Sequence, residues 1–138
     1  MSSHPFRDLT QFEVELLSRL LDVAEENEPG RYAVQELRAQ AATCRVRTIT
    51  EYGDNYGSFE LELPFSPPFD HLEPIVDTIA DDEDGVPIEA ILFLANGRLY
   101  ELEIVRADGL PLKKMPAATQ FADYEHYAAR HGLGQTKG

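Results

Sequence analysis

An Asn96-Gly97 dipeptide stands between two runs rich in β-branched, leucine and aromatic residues, Ile88 to Ala95 and Arg98 to Ala107. A type I′ turn needs positive φ at both of its central residues, and Asn-Gly is the pair that best meets this need. The two runs are therefore predicted to form an antiparallel β-hairpin. This is the strongest short-range structural signal in the chain.

Pairing centred on this turn decides which side chains share a face of the hairpin. One face, predicted to lie against the helices, carries Ile91, Phe93, Tyr100, Leu102 and Ile104. The other face carries Glu101 and Glu103 among aliphatic side chains, namely Ile88, Ala90, Leu92, Leu94, Leu99 and Val105. Two carboxylates in such surroundings either find cationic partners or have raised pKa values.

Three helices are predicted. The first covers Thr10 to Glu25, because Thr10-Gln11-Phe12-Glu13 is a capping box and apolar residues follow at helical spacing. A shorter helix is predicted over Arg31 to Ala41. The last is predicted over Thr119 to Arg130, with Phe121, Tyr124 and Ala128 directed inward.

Alternating patterns predict three more strands: Cys44 to Thr50, Ser58 to Leu63 and Ile75 to Ala80. Opposite charges favour an antiparallel register for the first two, in which Arg47 faces Glu60 and Arg45 faces Glu62. This register centres the turn on Gly53-Asp54, and a longer loop through Gly57 is the alternative. The predicted fold class is α+β. Two N-terminal helices pack on an antiparallel sheet of four or five strands, with a short C-terminal helix, in a single domain over residues 1–138.

The net charge of −13 limits the kinds of partner. Binding to nucleic acid depends on Lys and Arg, and a negative surface repels both nucleic acid and anionic membranes. A basic protein is the complementary partner, and solubility alone is the competing explanation. A single cysteine, Cys44, and a start without a signal-peptide pattern predict a cytoplasmic protein with no disulfide.

Catalytic and ligand motifs do not appear in the sequence. The acidic run Asp81, Asp82, Glu83, Asp84 before Gly85 fails the calcium-loop pattern, because the first position would be Ala80 and the twelfth Ile91. No two histidines have the spacing of three or four that places imidazoles on one helical face. We expect no metal site and no cofactor, and we expect Cys44 to be a half-buried structural thiol.

Glu101 and Glu103 allow three interpretations. They pair with Arg98, Arg106 or a C-terminal lysine in a structural role, or they form a partner surface with their apolar neighbours. In the third interpretation they act as a catalytic carboxylate pair, as in glycoside hydrolysis, since side chains two apart on a strand lie about 6.5 to 7 Å apart. The chain lacks Trp for sugar stacking.

The segment from Asp84-Gly85-Val86-Pro87 through Asn96-Gly97-Arg98-Leu99-Tyr100-Glu101-Leu102-Glu103 resembles a family of small bacterial proteins catalogued only as a domain of unknown function. The likeness extends to the helix opening Leu9-Thr10-Gln11-Phe12-Glu13. No catalytic residue is assigned in that family, so the resemblance implies a fold and not an activity. The build is also similar to that of immunity proteins of bacterial toxin systems.

These observations lead to one principal hypothesis, which is a non-enzymatic binding protein that engages a basic protein, such as a toxin that it neutralises. The predicted partner-binding residues are Asp81, Asp82, Glu83, Asp84, Glu101 and Glu103. The alternatives are a hydrolase that uses the two glutamates, and a homodimer that hides the mixed face against its own copy.

Overall fold

The computed structural model describes residues 5–49, 57–65 and 72–132. Its helices are α1 (Gln11–Asn27), α2 (Val34–Thr43) and α3 (Tyr124–Arg130), with a 3-10 turn at Ala118–Gln120 before α3. Its strands are β1 (Val46–Thr48), β2 (Phe59–Leu61), β3 (Leu72–Asp81), β4 (Pro87–Ala95) and β5 (Arg98–Arg106). They form one antiparallel sheet in the order β1-β2-β5-β4-β3. The predicted α+β architecture is confirmed.

The predicted start of α1 is confirmed in detail. The Thr10 hydroxyl accepts the Glu13 backbone N–H, and the Glu13 carboxylate accepts the Thr10 backbone N–H at 2.9 Å. Arg7 donates to both carboxylate oxygens of Glu13 at 2.8 Å. The second helix begins at Val34, three residues later than predicted, because residues 28–32 form a turn in which Gly30 has a φ of +76°.

The predicted register of the first two strands is confirmed, since Arg47 pairs with Glu60 and Val46 with Leu61. The Arg45 guanidinium, however, donates to the Phe6 carbonyl at 2.7 Å rather than to Glu62. The turn predicted at Gly53-Asp54 lies outside the described residues.

The hairpin about Asn96-Gly97 forms as predicted, but its face assignment was wrong for β4, Leu99 and Tyr100. Leu94 pairs with Leu99 while Phe93 pairs with Glu101, so Tyr100 is an extra residue in a β-bulge. A bulge shifts the later pairing by one residue, which exchanges the β4 side chains that flank Glu101. The side chains under α1 and α2 are Ile88, Ala90, Leu92, Leu94, Leu99, Leu102 and Ile104.

The C-terminal helix also differs from its prediction. Asp123 caps α3 by accepting the His126 backbone N–H, so the helix starts five residues later than expected. The later start changes its inward face: Tyr124 is 62% exposed, whereas Tyr127 is 8% exposed. Phe121 and Ala128 are buried as predicted, and Ala122 pairs with Ile79 at the edge of β3. Among the described residues, no helix has the length and apolar character that crossing a membrane requires.

Candidate functional site

The sheet has two faces of different character. One packs against α1 and α2, and the opposite one is called here the outer face. Along each strand its residues alternate with the buried core positions. It carries Arg47 on β1, Glu60 on β2, Glu101, Glu103 and Val105 on β5, Glu89, Ile91 and Phe93 on β4, and Asp77 and Ile79 on β3.

Glu101 and Glu103 both lie on the outer face. Glu101 stands between Phe93 of β4 and Glu60 of β2, and it is only 9% exposed. Glu103 stands opposite Ile91. The expectation that the two glutamates share a face with apolar side chains is therefore met, although the bulge gives them Ile91 and Phe93 as cross-strand neighbours instead of Leu92 and Ala90.

Carboxyl groups crowd the part of the outer face where β3, β4 and β5 meet. Partial burial, a side-chain hydrogen bond with Glu89 and the charge of Glu89 raise the pKa of Asp77 to about 7. Burial, with a smaller contribution from Glu89, also raises the pKa of Glu103. Asp77 and Glu103 are therefore harder to ionise than free carboxyl groups.

Within the acidic turn at residues 81–84, Asp82 is directed into the protein and not toward solvent. The Asp82 side chain is fully buried and accepts the backbone N–H groups of Lys113 at 2.7 Å and Lys114 at 2.9 Å. Arg106 also donates to it, at 2.9 Å. Although burial alone would raise it, these donors hold the pKa of Asp82 well below its usual range. Asp82 cannot contact a partner, which corrects its assignment to the binding surface.

Arg106 is the cation around which the acidic turn is organised. It donates to Asp82, to Asp84 at 2.8 and 2.9 Å and to Asp108 at 2.9 and 3.0 Å. Arg106 lies on the helix side of β5, whereas Glu101 and Glu103 lie on the outer face, so Arg106 is not the cation that the structural interpretation offered for them. Its contacts hold the β3–β4 turn against the end of the hairpin.

Asp81 is also held within the protein. Its carboxylate accepts the Tyr127 hydroxyl at 2.8 Å and lies 2.8 Å from Nε2 of His131. Among the described residues, the C-terminal segment thus contacts the acidic turn through backbone N–H groups, a phenol and an imidazole. Of the four acidic residues of the turn, Glu83 is exposed with no side-chain ion pair among the described residues.

Next to Glu101, the outer face contains a cavity that the sequence did not predict. It has a volume of about 470 Å³ and is called here the aromatic pocket. Its walls combine three aromatic rings with two carboxylates and one guanidinium, from Phe6, Phe65, Tyr100, Glu60, Glu62 and Arg47. The Arg47–Glu60 pair was predictable from strand register, whereas Tyr100 was assigned to the opposite face.

The groups within the aromatic pocket are connected to one another. Arg47 Nε donates to Glu60 Oε1 at 2.5 Å, and the Tyr100 hydroxyl donates to Glu60 Oε2 at 3.0 Å. The Arg47 guanidinium lies 4.4 Å from the centre of the Phe6 ring. Burial and the charge of Glu60 raise the pKa of Tyr100, so its hydroxyl remains a donor at neutral pH.

A second cavity, of about 710 Å³, lies between the N-terminus of α1 and the C-terminus of α2. Leu9, Val14 and Cys44 are among its lining residues, and none of the predicted partner-binding residues reaches it. Burial raises the pKa of the Cys44 thiol to about 11, which makes it a poor nucleophile at neutral pH. Within 5–49, 57–65 and 72–132, no three His, Cys, Asp or Glu side chains form a group that could hold a metal ion.

Comparison with known proteins identifies the family. Residues 6–116 match the family model described as a domain of unknown function (DUF6984). Because the match spans most of the chain, the chain belongs to that family. Neither a curated protein nor a solved structure matches it.

Proposed function

We propose that this member of a family of unknown function is a non-enzymatic binding protein whose outer face engages a basic protein, with toxin neutralisation by an immunity protein as the specific form. One observation carries the proposal. The outer face sets carboxyl groups on four adjacent strands around the side chains of Ile91 and Phe93, and these groups belong to Glu60, Glu101, Glu103, Glu89 and Asp77.

This arrangement has the two parts that a protein interface requires. Apolar side chains at the centre supply the area that is removed from water, and charged groups around them supply register and partner choice. The Ile91 and Phe93 side chains are partly exposed even though they lie in the middle of a sheet. An apolar centre with an anionic rim fits a partner surface on which Lys and Arg surround a hydrophobic patch.

The net charge of −13 supports a cationic partner for kinetic reasons as well. A strongly negative protein attracts a basic one over a distance of about 10 Å at moderate salt, and this steering raises the association rate. Fast association is useful to a protein that must capture a toxin before the toxin reaches its target. We expect the association rate to fall steeply as the salt concentration rises.

Carboxylate crowding on the outer face also favours a binding role. The raised pKa values of Asp77 and Glu103 mean that the folded protein holds these groups together at a cost in stability. A cationic partner would relieve that repulsion. The buried Asp82, by contrast, is fully provided with donors and supports the fold, so the binding surface proposed here is the outer face with Glu101 and Glu103.

The test is capture of a partner from an extract of the native host. The Glu101→Gln/Glu103→Gln variant removes two charges from the outer face, and Glu26→Gln/Glu36→Gln removes two from exposed positions on α1 and α2. We expect the first variant to lose a basic protein that the wild type and the second variant recover. Thermal unfolding of both variants establishes that they are folded. Equal recovery by all three proteins would refute the proposed surface.

The hydrolase alternative draws on one observation, the raised pKa of Glu103, which is the property of a general acid. Neither of the two cavities described above is lined by Glu101 or Glu103. Turnover of glycoside substrates that disappears in Glu103→Gln but persists in Glu26→Gln would favour this alternative over binding.

A further inference from the structure

We propose that the aromatic pocket is an anchor site for a single arginine side chain of the basic partner. This inference rests on the proposed function, because it names the place on the outer face where the partner's cation is held. The pocket adjoins the predicted site directly, since Glu60 pairs with Glu101 across β2 and β5.

The pocket already accommodates a guanidinium. Arg47 lies over the Phe6 ring at 4.4 Å while its Nε donates to Glu60. An arginine over an aromatic ring with a carboxylate at its edge is a favourable cation–π arrangement. The chain's own arginine therefore demonstrates the chemistry that one side of the pocket provides.

Carboxyl groups outnumber guanidinium groups among the described residues that line the pocket. Glu60 and Glu62 line the pocket, and Arg47 is the one guanidinium among its described lining residues. Glu62 is exposed, and its side chain forms no ion pair with another described residue. A second cation is therefore attracted to the pocket, and Glu62 is available to receive it.

The shape of the pocket also suits a planar side chain. Phe65 and Tyr100 contribute further aromatic surface, and the cavity volume of about 470 Å³ is within the usual range of small-ligand sites. A planar guanidinium can stack on a ring while it donates to a carboxylate in its own plane, which a lysine ammonium cannot do. Arginine is therefore the better fit.

The experiment uses a defined probe. A blocked Gly-Arg-Gly peptide and its Gly-citrulline-Gly counterpart differ in charge but have nearly the same shape. Each is titrated into the full-length protein while the NMR signals of Phe65, Tyr100 and Glu62 are followed. We expect saturable shifts at these residues with the arginine peptide and none with the citrulline peptide.

Two variants make the test specific. Phe65→Ala removes an aromatic wall and Glu62→Gln removes the available charge, and we expect each to weaken binding of the arginine peptide about fivefold. Glu36→Gln, which removes a charge from an exposed position of α2, should have no effect. Equal binding of both peptides, shifts spread over other acidic surfaces, or unchanged affinity in Phe65→Ala and Glu62→Gln would overturn the proposal.

The outcome for the anchor site is separate from the outcome for the function. If Phe65→Ala recovers the native partner as well as the wild type does while Glu101→Gln/Glu103→Gln does not, the outer face binds a partner and the anchor proposal fails. If the arginine peptide occupies the pocket but partner capture is insensitive to Glu101 and Glu103, the anchor site stands and the proposed outer-face function fails.

Discussion

Asp82 and Arg106 form a buried ion pair in which Nη1 of Arg106 lies 2.9 Å from Oδ2 of an aspartate with no exposed side-chain surface. The pair joins the turn after β3 to the end of β5. Since the same carboxylate accepts two backbone N–H groups of the following segment, three parts of the chain meet at one side chain. The acidic turn is thereby a structural joint of the fold.

Replacing Asp82 with Asn tests this role. The amide keeps one acceptor oxygen but places an NH₂ group against backbone donors. It also removes one of the negative charges that balance the buried guanidinium of Arg106. Removing one partner of a buried pair is strongly destabilising, so we expect the thermal unfolding midpoint to fall by more than about 10 °C. Asp84→Asn is the control, because its side chain is partly exposed, and it should cost far less. Equal effects of both substitutions would contradict a special structural role for Asp82.

Acid should also weaken the contacts of the Asp82 carboxylate and lower the stability of the protein. The folded-state pKa of Asp82 lies below its unfolded value, so its contribution to stability is complete above about pH 4 and is lost as the pH falls toward the folded value. Thermal unfolding between pH 6 and pH 2 should show this loss. The Asp82→Asn variant, which has no carboxyl group there, should lose less stability over the same range. A loss as large as that of the wild type would show that other groups are responsible.

Asp77 should behave in the opposite way. Its pKa is raised to about 7, so it favours the folded state below about pH 4 and this contribution is lost as the pH rises to about 7. Asp77→Asn should therefore raise the unfolding midpoint at pH 8 by a few degrees and change it much less at pH 4. A carbon-detected NMR titration of the Asp77 carboxyl group provides the direct check. Titration of Asp77 near pH 4 would show that burial and the neighbouring Glu89 do not raise its pKa.

The strand register at the bulge can be tested by removing apolar side chains from adjacent positions. Leu92 is fully buried beneath the helices, and we expect Leu92→Ala to reduce the free energy of unfolding by about 3 kcal/mol. Ile91 lies on the partly exposed outer face, so Ile91→Ala should cost about 1 kcal/mol. Urea unfolding measures both. The reverse order is what the hairpin without a bulge would give.

Interactions between residues close together in the chain were predictable from the sequence, and those between distant residues mostly were not. The capping box at Thr10 and the Asn96-Gly97 turn are local patterns, and both were predictable. The pairing of Arg47 with Glu60 was predictable from complementary charges on two nearby strands. The bulge at Tyr100 was not, because its hydroxyl donates to Glu60 on β2, 40 residues away, and period-two reasoning assumes an uninterrupted ladder.

The candidate site likewise has features that were predictable from the sequence and features that were not. Glu101 and Glu103 were located correctly on a face with apolar neighbours, since alternation along one strand needs no tertiary information. Asp82 was predicted to lie on an anionic surface, whereas it is buried against Arg106. Its neutralisation requires Arg106, which is 24 residues from Asp82 and follows no periodic relation to it. The aromatic pocket brings together Phe6, Phe65 and Tyr100, which only the folded sheet places side by side.

The central claim is that the outer face is the surface that contacts the partner. The most direct measurement is methyl NMR of the protein with its captured partner, with Ile79, Ile91 and Val105 as reporters on the outer face. Val14, which is 44% exposed on α1, reports on the opposite side. We expect the three outer-face methyl groups to shift and Val14 to remain unchanged. A shift of Val14 with the outer-face signals unmoved would contradict the account.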